Sequence, residues 1–493
     1  MIDNARQGWN NSQARQRRRG SLQKLRKMKR DSAFLAQMEA NTLCTDATEE
    51  LETLEASEEA ILDLKCHLNA SDAAARSRAL RRLHRMLSAR PASDTGPLGW
   101  VAKLGVVPLL ADVLSQADPA ALCVLGSLAA STHAHAVAVI PAVPALIAQL
   151  HGPDSRTVGH VLCTLANVSL EDAAAKATIV THGAAHKALQ LIEAAESLET
   201  RSGCAWALSC FCKAPLSSEA LALSSSIAQA VTGLVAELAL DTTASVARTV
   251  EGMLVEVLGA LTTIVETDGR ALTGAEGLAP RLLAAAATRP ALTAACFRLF
   301  GTIIADGPPA VVAELGRGGL LDLAQTVLAA KPTDTVACEV CWTVSSLMLG
   351  PPDQVMAVLG HSLFEFIISW APRASHAVQY EICYILLNLI NNGRSSDALQ
   401  MAVYDMAVID TVAEILTQVV ESDRLSLLAM KTLDKLLAHQ PPTGDWAAMA
   451  EAAGVRDVLG RLTFSSNLRV YEQAIMLLDE YFPADSDLTS DGW

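Results

Sequence analysis

Gly105-Val-Val-Pro-Leu-Leu110 sets a pattern that returns at Gly183-Ala-Ala185, Gly319-Leu-Leu321 and Gly454-Val455: a glycine, one or more small apolar residues, then a Leu-rich stretch. A glycine in that place lets one helix end and the chain turn sharply into the next, because it enters the left-handed backbone region at no steric cost. A longer apolar helix follows, with small residues at its centre, as in Ala205-Trp-Ala-Leu-Ser209. One central position of that helix falls at Cys123, Cys163, Trp206, Gly259, Arg298, Trp342 and Tyr384, in steps of 40, 43, 53, 39, 44 and 42 residues.

Steps of this size are the period of armadillo and HEAT units, and the one long step predicts an insertion near residues 216–245. A unit of this length cannot bury its own apolar face, so the core forms only by stacking. The expected fold is all-α: a right-handed α-solenoid of about nine to ten armadillo repeats with a concave groove lined by the third helix of each repeat, preceded by a disordered basic N-terminal arm. The domains expected are a basic arm over 1–38, an acidic linker and first helix over 39–71, the solenoid over 72–483 and an acidic tail over 484–493.

Composition agrees with stacked helices. Apolar residues make up 51% of the 493 residues and aromatics only 4%, whereas a sheet protein would use more Val, Tyr and Phe. The net charge of −15 is unevenly spread, for residues 1–35 hold ten Lys or Arg and two Asp. A basic arm on an acidic body suits an acidic surface on a partner or on the body itself, rather than a nucleic acid coated along the chain's length. The arm alone keeps a nucleic-acid or anionic-membrane reading open.

Eleven scattered cysteines are expected to be reduced core thiols of a cytosolic or nuclear protein. Cys338 and Cys341 form a CxxC, but no second pair stands at zinc spacing. The uncharged run between Asp118 and Asp154 is broken by Pro141 and Pro144 and reads as buried repeat helices, so no membrane insertion is expected. No phosphate loop, nucleophile elbow or clustered histidines occur, so neither an enzyme nor a cofactor is expected.

In the third helix, residues at i−3, i and i+4 share a face. Glu339, Trp342 and Ser346 have this spacing, as do Glu381, Tyr384 and Asn388. Such a set can hold an extended basic peptide: the ring packs on a Lys or Arg stem, the amide bonds the peptide backbone and the carboxylate takes the cation. The same spacing also suits plain core aromatics.

Leu25-Arg-Lys-Met-Lys-Arg-Asp31, with Arg17-Arg-Arg19 before it and Phe34-Leu35 after it, resembles the importin-β-binding arm of the importin-α family. Val378-Gln-Tyr-Glu-Ile-Cys-Tyr-Ile-Leu-Leu-Asn388, Cys338-Glu-Val-Cys-Trp-Thr-Val-Ser-Ser346 and Val470-Tyr-Glu-Gln-Ala-Ile-Met-Leu-Leu-Asp-Glu-Tyr-Phe482 are similar to that family's eighth, seventh and last repeats. The resemblance implies a nuclear import adapter that shuttles between cytoplasm and nucleus. Its arm residues Arg17, Arg18, Arg19, Leu25, Arg26, Lys27, Lys29 and Arg30 would bind importin-β. Glu339, Trp342, Ser346, Glu381, Tyr384 and Asn388 would hold cargo signals at a minor site, and Trp206, Asn167 and Glu171 at a major site. A recycling exportin would be a further partner at the last repeats.

The departures from the family are specific. The major-site positions hold Cys123 with Ser127, Cys163 with Asn167 and Trp206 with Cys210, while Ala36, Gln37 and Met38 stand where the family's arm carries a Lys-Arg-Arg cluster. These losses predict a divergent adapter with weak autoinhibition that prefers the minor site. The alternative is an armadillo scaffold that is itself carried by importin-β and binds a non-classical partner.

Overall fold

A computed structural model describes residues 57–69, 72–88, 96–114, 119–214, 216–238, 243–275, 277–392, 396–418, 422–442 and 444–483. The basic arm expected over 1–38, with its eight candidate residues, and the acidic tail expected over 484–493 lie outside the described residues. All regular structure among the described residues is helical. Chain contacts divide the protein between Ala275 and Glu276 into two compact units.

The glycine turns explain the local order. Ala173–Thr181 ends, Gly183 takes a φ of +86°, Ala184–Ala194 begins, and a third helix follows at Leu198–Phe211. The second unit repeats the order with Pro309–Arg317, Gly319 at φ +83°, Leu320–Ala329 and Asp334–Leu347. A side chain at these glycines would meet the left-handed backbone penalty of about 1–2 kcal/mol.

The third helices form the stacks. In the first unit they are α1 (Ala73–Ser88), α2 (Pro119–Ala130), α3 (Ser155–Glu171), α4 (Leu198–Phe211) and α5 (Ala244–Thr267), each packed on the next. In the second they are α6 (Pro290–Asp306), α7 (Asp334–Leu347), α8 (His376–Asn392), α9 (Asp423–Leu437) and α10 (Leu468–Tyr481), again each on the next. Their starts are set by short polar caps: the Asp154 carboxylate accepts from the backbone N–H groups of Arg156 and Thr157, and Ser197 accepts from Thr200.

The insertion expected near 216–245 is built as extra helix. Ser224–Leu238 has 15 residues against 11 in the equivalent Ala184–Ala194, and α5 has 24 against 14 in α4. His133–His151, apolar enough by length and composition to cross a bilayer, is divided into the short helices His133–Ala138 and Val143–Ala148 with 3-10 turns between and after them. Both short helices pack on α3.

Stacking brings residues one period apart into contact, and the polar cross-links obey that spacing. Lys65 Nζ donates to the Leu104 carbonyl 39 residues on. Thr343 donates to the Phe297 carbonyl 46 residues back. The Arg201 guanidinium grips both carboxylate oxygens of Glu237, at 2.9 and 2.6 Å across 36 residues. Leu and Ala fill the space between these links, with Phe297 and Phe300 meeting edge to face at 5.6 Å in α6.

Candidate functional site

The face traced in sequence runs along the third helices, and in the second unit it begins at Arg298 on α6. The Arg298 guanidinium reaches α7 and donates to a single Glu339 carboxylate oxygen, from Nη2 at 2.6 Å and from Nε at 3.2 Å. The Glu339 side chain is only 8% exposed and that of Arg298 22%, so the pair is largely withdrawn from water. Breaking such a pair by removing one partner costs about 3–5 kcal/mol, because the other charge stays buried.

Trp342, one turn after Glu339, is 5% exposed. Its indole lies against Gly301 on α6, so closely that a β-carbon built there would stand 2.3 Å from the ring. Glycine is required at 301 because the two helices meet through this ring. The side chain proposed in sequence to lie beside a peptide is thus mostly occupied in joining α6 to α7. Ser346 is buried too, its hydroxyl donating to the Trp342 carbonyl at 3.1 Å.

On α8, Glu381 and Tyr384 are half-exposed, and Tyr384 meets Tyr380 edge to face at 5.3 Å. Arg424 of α9 lies over the Tyr380 ring, its guanidinium carbon 4.8 Å from the ring centre. Asn388 is buried at 4% exposure and donates to the Ser345 carbonyl at 2.9 Å and the Ser345 hydroxyl at 2.8 Å. One turn on, Asn392 donates to the Met348 and Gly350 carbonyls. Together these amides satisfy acceptors at the C-terminal end of α7, where a helix leaves carbonyls without intrahelical donors. Asn388→Ala is therefore expected to lower stability by about 1–3 kcal/mol in urea unfolding, since the Ser345 carbonyl would stay buried without its donor.

In the first unit the traced positions are further from a ladder. Asn167 is fully buried and donates to the Cys163 carbonyl of its own helix at 3.3 Å. Trp206 is half-exposed, while Cys210 one turn on is buried. Glu171 closes α3 and pairs with the exposed His133 at 2.9 Å. The hydroxyls of Ser127, Thr263 and Thr302 donate back to the carbonyls of Cys123, Gly259 and Arg298, so each spends its only proton within its own helix.

The sequence reading omitted Glu256, which stands three residues before Gly259 on α5 as Glu339 does before Trp342. It accepts from the Ser209 hydroxyl of α4 at 2.6 Å. Applying the i−3 spacing to every traced position would have found it. The CxxC lies on α7 with Cys341 buried and Cys338 half-buried, and among the described residues no group of His, Cys, Asp or Glu is arranged to hold a metal. Burial pushes the Cys204, Cys212, Cys296 and Cys383 thiols up to about 12, so they remain protonated at neutral pH and serve as packing.

No family model matches this chain, and no curated protein does. Solved structures do match. One is the crystal structure of an engineered protein from a structural-genomics consortium, with a TM-score of 0.67 and 20% identity over 85% of this chain and 98% of that one. At that identity the likeness carries the fold: an all-α protein of many packed helices.

Proposed function

We propose that this chain is a divergent import adapter of the importin-α type, a right-handed solenoid of about nine to ten armadillo repeats that carries an importin-β-binding arm. Its groove takes a basic peptide, with Glu381 and Tyr384 on α8 as the main recognition pair. The observation that carries this reading is the pairing itself: a carboxylate and a ring, both half-exposed, three residues apart on one helical face. A Lys stem lies on the ring while its ammonium meets the carboxylate. Shuttling between cytoplasm and nucleus, and recycling by an exportin, belong to the same proposal.

The test is a titration of the full chain with a short Lys-rich peptide. Glu381→Gln is expected to weaken binding by about fivefold to tenfold, the scale of a charge-assisted bond at a half-exposed site. Unchanged affinity would remove the pair from recognition.

The alternative, a scaffold carried by importin-β with a non-classical groove partner, draws on a different observation. The hydroxyls of Ser127, Thr302 and Ser346 and the amides of Asn167 and Asn388 are directed at protein carbonyls, which leaves few donors for a peptide backbone. Under that reading the chain binds importin-β and no basic peptide.

A further inference from the structure

We propose that Arg298 is a built-in counter-ion that keeps the Glu339 position closed to basic ligands and so sets which register a basic peptide can occupy. This rests on the adapter reading above. The ligand group that would seek Glu339 is an ammonium or guanidinium, and a guanidinium of the chain itself already holds that carboxylate at 2.6 and 3.2 Å. A ligand cation must displace a group tethered beside its target, whose effective concentration is far above that of any free peptide.

Neighbouring contacts hold the closure in place. Gly301 lies three residues after Arg298 on α6 and receives the Trp342 indole, so the ring and the guanidinium cross from opposite helices at adjoining turns. Glu339 is thereby left 8% exposed at its side chain. The other two carboxylates at the same helical position differ. Glu256 accepts a hydrogen bond from the Ser209 hydroxyl, and Glu381 is half-exposed. At Glu339 the charge is matched by an arginine 41 residues before it. Arg298 therefore determines specificity by excluding a cation from α7 and leaving α8 to receive it.

The experiment measures binding of a fluorescent Lys-rich peptide to the full chain carrying Arg298→Gln, Arg298→Lys, Arg298→Gln with Glu339→Gln, or Glu381→Gln. Glutamine at 298 removes the charge while keeping an amide donor for Glu339, which protects the fold better than alanine would. Arg298→Gln should tighten peptide binding by about tenfold. The gain should disappear in the double variant and be absent in Arg298→Lys, which restores the charge and serves as the second test should the glutamine variant not fold. If Arg298→Gln leaves affinity unchanged while Glu381→Gln lowers it, the closure is wrong and the adapter reading stands. An affinity gain in Arg298→Lys equal to that of the glutamine variant would also overturn the closure. If no variant binds the peptide, both fall.

Discussion

Trp342→Ala lowers the stability of the second unit by about 3–5 kcal/mol, the cost of truncating a large buried aromatic. The indole is 5% exposed and seated on Gly301 between α6 and α7, so its removal opens a cavity where two stacking helices meet. A ring that served chiefly to receive a peptide would leave stability within about 1 kcal/mol of wild type, as exposed positions usually do. Urea unfolding followed by circular dichroism separates the two cases. A second substitution sharpens the result. Gly301→Ala in the wild-type chain drives a methyl into the ring and destabilises. In the Trp342→Ala background the same change has room, and alanine is favoured over glycine within a helix by about 0.5–1 kcal/mol. Strong non-additivity between the two is expected, because they act on one contact.

Under the adapter proposal, reversing Arg26, Lys27, Lys29 and Arg30 to glutamate is expected to lower affinity for importin-β by about three orders of magnitude or more, since each charge lost from an interface and replaced by its opposite adds both a missing attraction and a repulsion. These four supply four of the ten basic residues in the first 35, so the reversal takes that stretch from strongly basic to about neutral. Under the proposal the arm is separate from the solenoid core, so thermal unfolding of the helical units should not move by more than about 0.5 kcal/mol. A surface titration against immobilised importin-β, with a melt of the same samples, reads both effects. Capture that survives the reversal would detach the arm from importin-β.

The glycine turns were legible because their cause is local. Gly105, Gly183, Gly319 and Gly454 all have positive φ, as their place before a Leu-rich stretch predicts. Gly277, also at positive φ, opens the same pattern at Gly277-Leu-Ala279, but a 3-10 turn at Gly269–Leu272 precedes it in place of the usual first helix. The insertion was legible as a length and not as a structure, for a longer helix and a longer loop give the same step.

Site residues were legible only along a single helix. The i−3, i and i+4 spacing places Glu339 with Trp342 and Glu381 with Tyr384, yet it says nothing of what the preceding helix brings to them. That information lies one period away. Arg298 and Glu339 are 41 residues apart, Ser345 and Asn388 43, and Ser209 and Glu256 47. Complementary groups at that separation, at a traced position and at the one three residues before the next, are the signal that pairs Arg298 with Glu339. Whether a ring faces a neighbouring helix or an open groove depends on the residue opposite it, here a glycine at 301, and a glycine is silent in any search for chemistry.

The most direct test of the adapter reading is native mass spectrometry of the full chain mixed with importin-β and a Lys-rich peptide. The account predicts a complex containing one of each, losing importin-β when the arm is reversed and losing the peptide first when Glu381 is changed. A chain that forms no complex with importin-β would contradict it.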